Sequence, residues 1–147
     1  MKIAIGCDHA AYTFKEEIKT YLADKGHTLV DKGCHSTERA DYPDYGIAVG
    51  EAVVNGECEK GIVICGSGIG ISIATNKVQG VRCALCLDVN MAHLSRQHND
   101  ANVLAMGARL IDVELGKAIV DEWLTTEFEG GRHIGRIEKI TRYEQSK

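Results

Sequence analysis

Short apolar runs alternate along this chain with longer stretches whose apolar residues recur at helical spacing. Ile3-Ala4-Ile5 reads as a strand and ends at the polar turn Cys7-Asp8-His9. Phe14, Ile18, Tyr21 and Leu22 then fall at i, i+4, i+7 and i+8, the pattern of one helix face. Gly26 suits the C-terminal cap of that helix. Thr28-Leu29-Val30 predicts a second strand, and residues 33–41 a loop. Pro43 fits the first turn of a helix striped by Val49, Ala52 and Val53, with Gly56 after it. Gly61-Ile62-Val63-Ile64-Cys65 is continuously apolar, as parallel strands covered on both faces are. A glycine-rich turn and a helix through Asn76 follow. Residues 81–87 predict a fourth strand, residues near 90–97 a helix, and Asn102-Val103-Leu104-Ala105-Met106 a fifth strand. Leu115, Ile119 and Trp123 mark a further helix, and a last one is expected from about His133 to Glu144.

Strands that alternate with helices indicate an α/β layered fold around a mostly parallel sheet, with right-handed crossovers. At 147 residues one core is expected, hence a single domain over 1–147. No repeat, linker or low-complexity segment interrupts it. Open α/β sheets bind ligands beyond the carboxyl ends of their strands. Here those ends deliver Asp8 and His9 after the first strand, the glycine loop after the third, and Gly107 and Arg109 after the fifth.

Composition narrows the function classes. Seventeen basic residues against 21 acidic ones give a net charge of −4, which excludes a general electrostatic grip on nucleic acid. No stretch approaches the ~20 apolar residues of a membrane span, and nothing suggests an amphipathic anchor. No apolar signal core follows Met1, so the expected compartment is the reducing cytoplasm, where the six cysteines stay free thiols. Sixteen glycines against one proline point to tight turns and close backbone approaches, not disordered linkers.

The densest chemistry is Cys65-Gly66-Ser67-Gly68-Ile69-Gly70, between a strand and a helix. Glycines there let backbone N–H groups approach an anion. A dinucleotide loop would need its third glycine one residue later, where Ile71 stands, although Asp88 fits the expected acidic position loosely. By spacing alone, anion binding, a dinucleotide loop and a plain packing turn all stay open. Cys65 at this turn reads either as a thiolate nucleophile or base, or as a small buried hydrophobe. Cys83 and Cys86 make a lone C-x-x-C inside a strand, where residues three apart face opposite ways, so zinc or redox work is not expected. Cys7 reads as core, and Cys34 and Cys58 have no evident role. Residues 95–102 are dense in polar groups, and His98 there suits acid–base work near neutral pH as well as a polar surface turn. Arg132 and Arg136, at i and i+4, form either a phosphate clamp or a solvated basic face. There is no G-x-S-x-G elbow and no Walker loop.

Together these pieces resemble the type B ribose-5-phosphate isomerases, a sugar-phosphate isomerase family that includes galactose-6-phosphate isomerase subunits. The resemblance is carried in order by Gly6-Cys7-Asp8-His9-Ala10, Asp41-Tyr42-Pro43, Ile64-Cys65-Gly66-Ser67-Gly68-Ile69-Gly70, Leu94-Ser95-Arg96-Gln97-His98-Asn99-Asp100 and Gly130-Gly131-Arg132-His133. It implies a three-layer α/β/α sandwich with a five-stranded parallel, Rossmann-like sheet. It also implies interconversion of ribose 5-phosphate and ribulose 5-phosphate with no metal and no organic cofactor. By the resemblance, Cys65 takes the C2 proton, the Gly66, Ser67, Gly68, Ile69 and Gly70 loop cradles the enediolate, and the Ser67 hydroxyl serves the C1 and C2 oxygens. His98 opens the sugar ring with Asp8 assisting, Asn99 binds sugar, and Tyr42 lines the site. His9, Arg109, Arg132 and Arg136 surround the phosphate. Members are homodimers or larger, with sites between subunits. The same chemistry on a six-carbon sugar phosphate, a non-catalytic subunit and a nucleotide-binding regulatory module are the competing readings.

Overall fold

The apolar runs pair into one sheet. In the computed structural model, which describes residues 1–147, the strands are β1 (Lys2–Cys7), β2 (Thr28–Asp31), β3 (Lys60–Cys65), β4 (Cys83–Leu85) and β5 (Val103–Gly107). All are parallel, in the order β2-β1-β3-β5-β4. The helices are α1 (Tyr12–Asp24), α2 (Tyr42–Val54), α3 (Ile69–Thr75), α4 (Val89–Gln97), α5 (Val113–Thr125) and α6 (Arg132–Gln145). A short 3-10 turn, His9–Ala11, precedes α1. No helix is long and apolar enough to cross a membrane.

Strand alternation divides the core into two layers. Ile3, Ile5, Ile62, Ile64, Leu104 and Met106 face α1 and α5, where Ile18, Leu22, Ile119 and Trp123 meet them. Ala4, Val63, Cys65, Val103 and Ala105 face α2 and α3, against Val49, Ala52 and Ile71. The result is the α/β/α sandwich expected above. Cys83 packs with the second layer and Cys86 lies in the first, so the C-x-x-C thiols do face opposite sides. All six cysteines are free. α6 stands outside both layers: only His133 of it is buried.

One expected element shrinks. The fourth strand covers only Cys83–Leu85, not residues 81–87. It is an edge strand with β5 as its single neighbour, so it needs few ladder positions. The apolar residues around it are buried by helices instead: Val81 packs in the α2/α3 layer and Cys86 in the α1/α5 layer. Asp88 caps α4, its carboxylate accepting from Met91 N–H at 2.7 Å. That use removes the acidic group a dinucleotide reading needed.

A buried ion pair sets the floor beneath the first strand end. Lys15 is fully buried, and its ammonium donates to both Asp31 oxygens (2.8 and 2.9 Å) and to the Cys34 carbonyl (2.6 Å). Burial alone would raise the Asp31 pKa; hydrogen bonds from Lys15, Lys19 and the Gly33 N–H outweigh it and hold the carboxyl below its ordinary value. Asp31→Asn leaves the Lys15 charge buried without its counter-ion, and a loss of about 3–5 kcal/mol is expected in urea unfolding at neutral pH. A lowered carboxyl pKa stabilises fully above the unfolded value and is lost as pH falls through the folded one. The gap between wild type and Asp31→Asn should therefore close as pH falls below about 4.

Candidate active site

The register places three strand ends side by side. Cys65 pairs with Gly107, and Cys7 with Ile64. Beyond the sheet, Asp8 N–H donates to Ile64 O, Ala108 N–H to Cys65 O and Arg109 N–H to Gly66 O. A cleft of about 570 Å³ opens there, lined by Asp8, Tyr42, Cys65, Gly66, Ser67, Ile69, Gly70, Arg109 and Leu110.

Cys65 forms the floor, 4% exposed, and its Sγ accepts from Gly68 N–H at 3.1 Å. The turn is made possible by two close approaches. A Cβ on Gly107 would sit 2.5 Å from the Ser67 carbonyl, and one on Gly70 would sit 2.6 Å from the Tyr42 ring. Gly107 is therefore needed for the loop to fold down onto β5, while a side chain at position 70 would push the exposed Tyr42 ring aside. Ser67 Oγ accepts from Ile69 N–H at 3.1 Å. The first helical bond of α3 runs from Ser72 N–H to Gly68 O, so the N–H groups of Gly70 and Ile71 are not used by the helix.

Asp8 is 8% exposed and caps the 3-10 turn, accepting from Ala10 N–H at 3.1 Å. His9 Nδ1 lies 3.1 Å from both the N–H and the carbonyl of Ala40, so either tautomer is anchored and Nε2 has no protein partner. Arg109 has no acidic partner, and its guanidinium lies beside Gly66. The cleft thus combines a thiol, unpaired N–H donors, a carboxylate and an uncompensated cation, a set suited to a small anionic substrate.

His98, Asn99, Arg132 and Arg136 lie elsewhere. α4 leaves the carboxyl edge at Asp88 and runs back, so His98 caps its far end. The following residue pairs bind at the amino edge: Gly61 N–H donates to Asn102 O, and Arg82 N–H to Asn102 Oδ1. Gly61 stands four residues before Cys65, roughly 13 Å along the strand. No side chain at position 98 spans that distance. This turn is itself well built. Arg96, 7% exposed, donates to Asp100 Oδ1 and to Ala101 O, both at 2.8 Å, and Arg82 donates to the Asn99 and Asp100 carbonyls. These bonds hold Asp100 at a left-handed φ of 46°.

Two residues of this second cluster, Glu129 and His133, carry no functional signal in the sequence pattern apart from their spacing. The His133 ring stacks on His98 with centroids 4.3 Å apart. Glu129 Oε2 lies 3.8 Å from Nε2 of each histidine. Burial, with His98 and Arg132 close by, pushes His133 below the ordinary imidazole range. The i, i+4 spacing of Glu129 and His133 was the available signal, but it falls across Gly130-Gly131, outside any periodic stretch.

Comparison with known proteins places the chain among relatives along its whole length. Residues 3–140 match the family model described as Ribose/Galactose Isomerase. The chain is 53% identical to ribose-5-phosphate isomerase B of Escherichia coli strain K12, over 98% of this chain and 97% of that one. It is 44% identical to D-erythrulose-4-phosphate isomerase of Pectobacterium atrosepticum, over 98% of this chain and 95% of that one. Among solved structures, ribose-5-phosphate isomerase B of Clostridium thermocellum superposes with a TM-score of 0.98 at 53% identity, covering 99% of both chains.

Proposed function

The chain belongs to the ribose/galactose isomerase family, and on that basis we propose that it interconverts ribose 5-phosphate and ribulose 5-phosphate at the Cys65 cleft. The observation that carries this reading is the Cys65 floor itself. A thiol that accepts from Gly68 N–H sits beside free N–H donors and the unpaired Arg109. In the open-chain aldose, the Cys65 thiolate takes the C2 proton. The electron pair moves into the C1–C2 bond and leaves an enediolate oxygen at C1. Loop N–H groups and the Ser67 hydroxyl stabilise that charge; one such donor is worth ~10²–10³ in rate. The thiol returns its proton to C1, the O2 proton passes to O1, and the ketose forms. No step calls for a metal or an organic cofactor.

Ring opening needs a group that delivers a proton to the ring oxygen, and His98 carries that role in this reading, with Asp8 at the anomeric hydroxyl. Since His98 and Cys65 occupy opposite edges of one sheet, the working unit is a symmetric dimer whose partner brings His98, Asn99, Arg132 and Arg136 over the cleft. The exposed apolar side chains support such a partner: Ile69 and Ile73 flank the loop, and Ile134, Ile140 and Tyr143 lie open on α6. His9 and Arg109 then meet the substrate phosphate from one side, and the two α6 arginines from the other.

A panel of four-, five- and six-carbon aldose phosphates tests the substrate; the name of the Pectobacterium relative gives reason to include the four-carbon sugar. The highest kcat/KM is expected for ribose 5-phosphate. In deuterated water, its C2 hydrogen should exchange alongside ketose formation. A clear preference for another chain length would move the substrate and leave the chemistry. Isomerisation with no exchange fits either hydride transfer or a thiol that passes one proton from C2 to C1 faster than solvent replaces it, and the rate of a folded Cys65→Ala chain separates the two.

A further inference from the structure

Two histidines and a carboxylate outside the Cys65 cleft converge without satisfying one another. The His98 and His133 rings stack at 4.3 Å with 16° between their planes. Glu129 Oε2 stands 3.8 Å from each Nε2, beyond hydrogen-bond reach. One ligand atom from each of the three residues lies within 4.8 Å of the others. His133 is 5% exposed, and its Nε2 has no hydrogen-bond partner. Buried imidazole nitrogens are normally paired, so this orphaned atom marks a position that a ligand would complete. We propose that His98, Glu129 and His133 form a binding site for a divalent transition-metal ion of the zinc type, and that its occupancy stops the isomerase.

The donor set selects the ion. Imidazole nitrogen favours zinc, copper and nickel over magnesium and calcium, which prefer oxygen. Two histidines and one glutamate are a familiar zinc set that leaves the fourth position open. With zinc–ligand distances of ~2.0–2.2 Å, tetrahedral donors stand about 3.4 Å apart. The two 3.8 Å separations from Glu129 need to close by a few tenths of an ångström, and one imidazole must swing out of the parallel stack so that both Nε2 lone pairs meet at one ion. The backbone already favours that closure. Glu129 N–H donates to Gln97 O at 3.0 Å, next to His98. Gly130 and Gly131, at φ of 74° and 59°, turn the chain so that His133 comes back over Glu129. Arg132 and Arg136 begin α6 beside the cluster and oppose a cation, so affinity is expected in the micromolar range, an inhibitory site and not a resident cofactor.

Inhibition follows because a metal-held His98 has no lone pair with which to move a proton. That half rests on the role given to His98 above; the binding half does not. The purified, chelator-treated chain is titrated with zinc against a chromophoric indicator, and with cobalt by visible absorption. One zinc per chain is expected, with a tetrahedral cobalt spectrum that lacks a thiolate charge-transfer band. Glu129→Gln and His133→Gln should each weaken zinc by at least about tenfold, and Cys65→Ser should leave it unchanged. Glu129 is exposed, so its substitution does not threaten the fold. Zinc should stop ketose formation, EDTA should restore it, and each variant's inhibition, read against its own zinc-free rate, should shift with its affinity. Absence of stoichiometric binding to wild type overturns the site, as does binding that survives both substitutions or is lost in Cys65→Ser. Zinc bound in this pattern by a chain with no isomerase activity keeps the site and removes the functional reading. Binding without inhibition overturns the inhibitory half.

Discussion

Cys65→Ala should lower kcat/KM for ribose 5-phosphate by about 10²–10⁴, the usual weight of a positioned acid–base group. The loss should fall on kcat, because the thiol acts on the C2 proton and not on the phosphate. Folding should barely change: the side chain is small, its one polar contact is Gly68 N–H, and about 1 kcal/mol is at stake. Coupled detection of ketose gives the rate, and a thermal melt gives the fold. Turnover at the wild-type level in a folded Cys65→Ala chain would remove Cys65 from the chemistry. Alkylation supplies a second reading of the same thiol. Burial pushes the Cys7, Cys58 and Cys83 thiols up, and that of Cys86 to about 11. These four are therefore poor nucleophiles at neutral pH. Iodoacetamide should inactivate through Cys65, and substrate should protect.

Mixing two dead variants should restore activity. If each site takes Cys65 from one chain and His98 from the other, a Cys65→Ala chain paired with a His98→Asn chain holds one site with both groups and one with neither. Random exchange at equal amounts makes half the dimers hybrid, so roughly a quarter of the wild-type activity should return. Each variant alone should remain near its own low rate, because both of its sites carry the same lesion. The assay follows ketose formation after unfolding and refolding the mixture, with the separately refolded variants as reference. No recovery from a mixture shown to contain hybrids would mean that His98 does not complete the cleft in trans. The expectation joins the role proposed for His98 with sheet geometry: roughly 13 Å of strand separates the two edges, and no side chain crosses it.

Much of this molecule was legible in the pattern of its residues. The continuous apolar run ending at Cys65 made a buried parallel strand, and the glycines after it made a tight turn into a helix. Both follow from local rules, since burial on two faces demands apolar residues and close approach demands glycine. Asp8, Cys65 and Arg109 could be placed together because each follows a strand, and parallel strands share one carboxyl edge. The fourth strand is shorter than its pattern predicts for a related reason: Val81 and Cys86 beside it are apolar because helices bury them, and hydropathy does not tell helix cover from a ladder.

His98 and Glu129 show where local rules end. The polar run at 95–102 precedes the fifth strand, so a parallel sheet puts it at the amino edge, away from Cys65; which segments meet it there depends on β5 entering between β3 and β4. That strand order is a property of the packed sheet, and no spacing in the chain encodes it. Glu129 reaches both histidines only because two glycines turn the chain and a backbone bond ties it to Gln97. The layers, the loop and the chemical character of the residues thus follow from local pattern, because each depends on neighbours a few positions away. Which of those residues can act together is fixed only once the sheet is packed. Strand order and helix direction set distances of more than ten ångströms, and proton transfer depends on distances of about three.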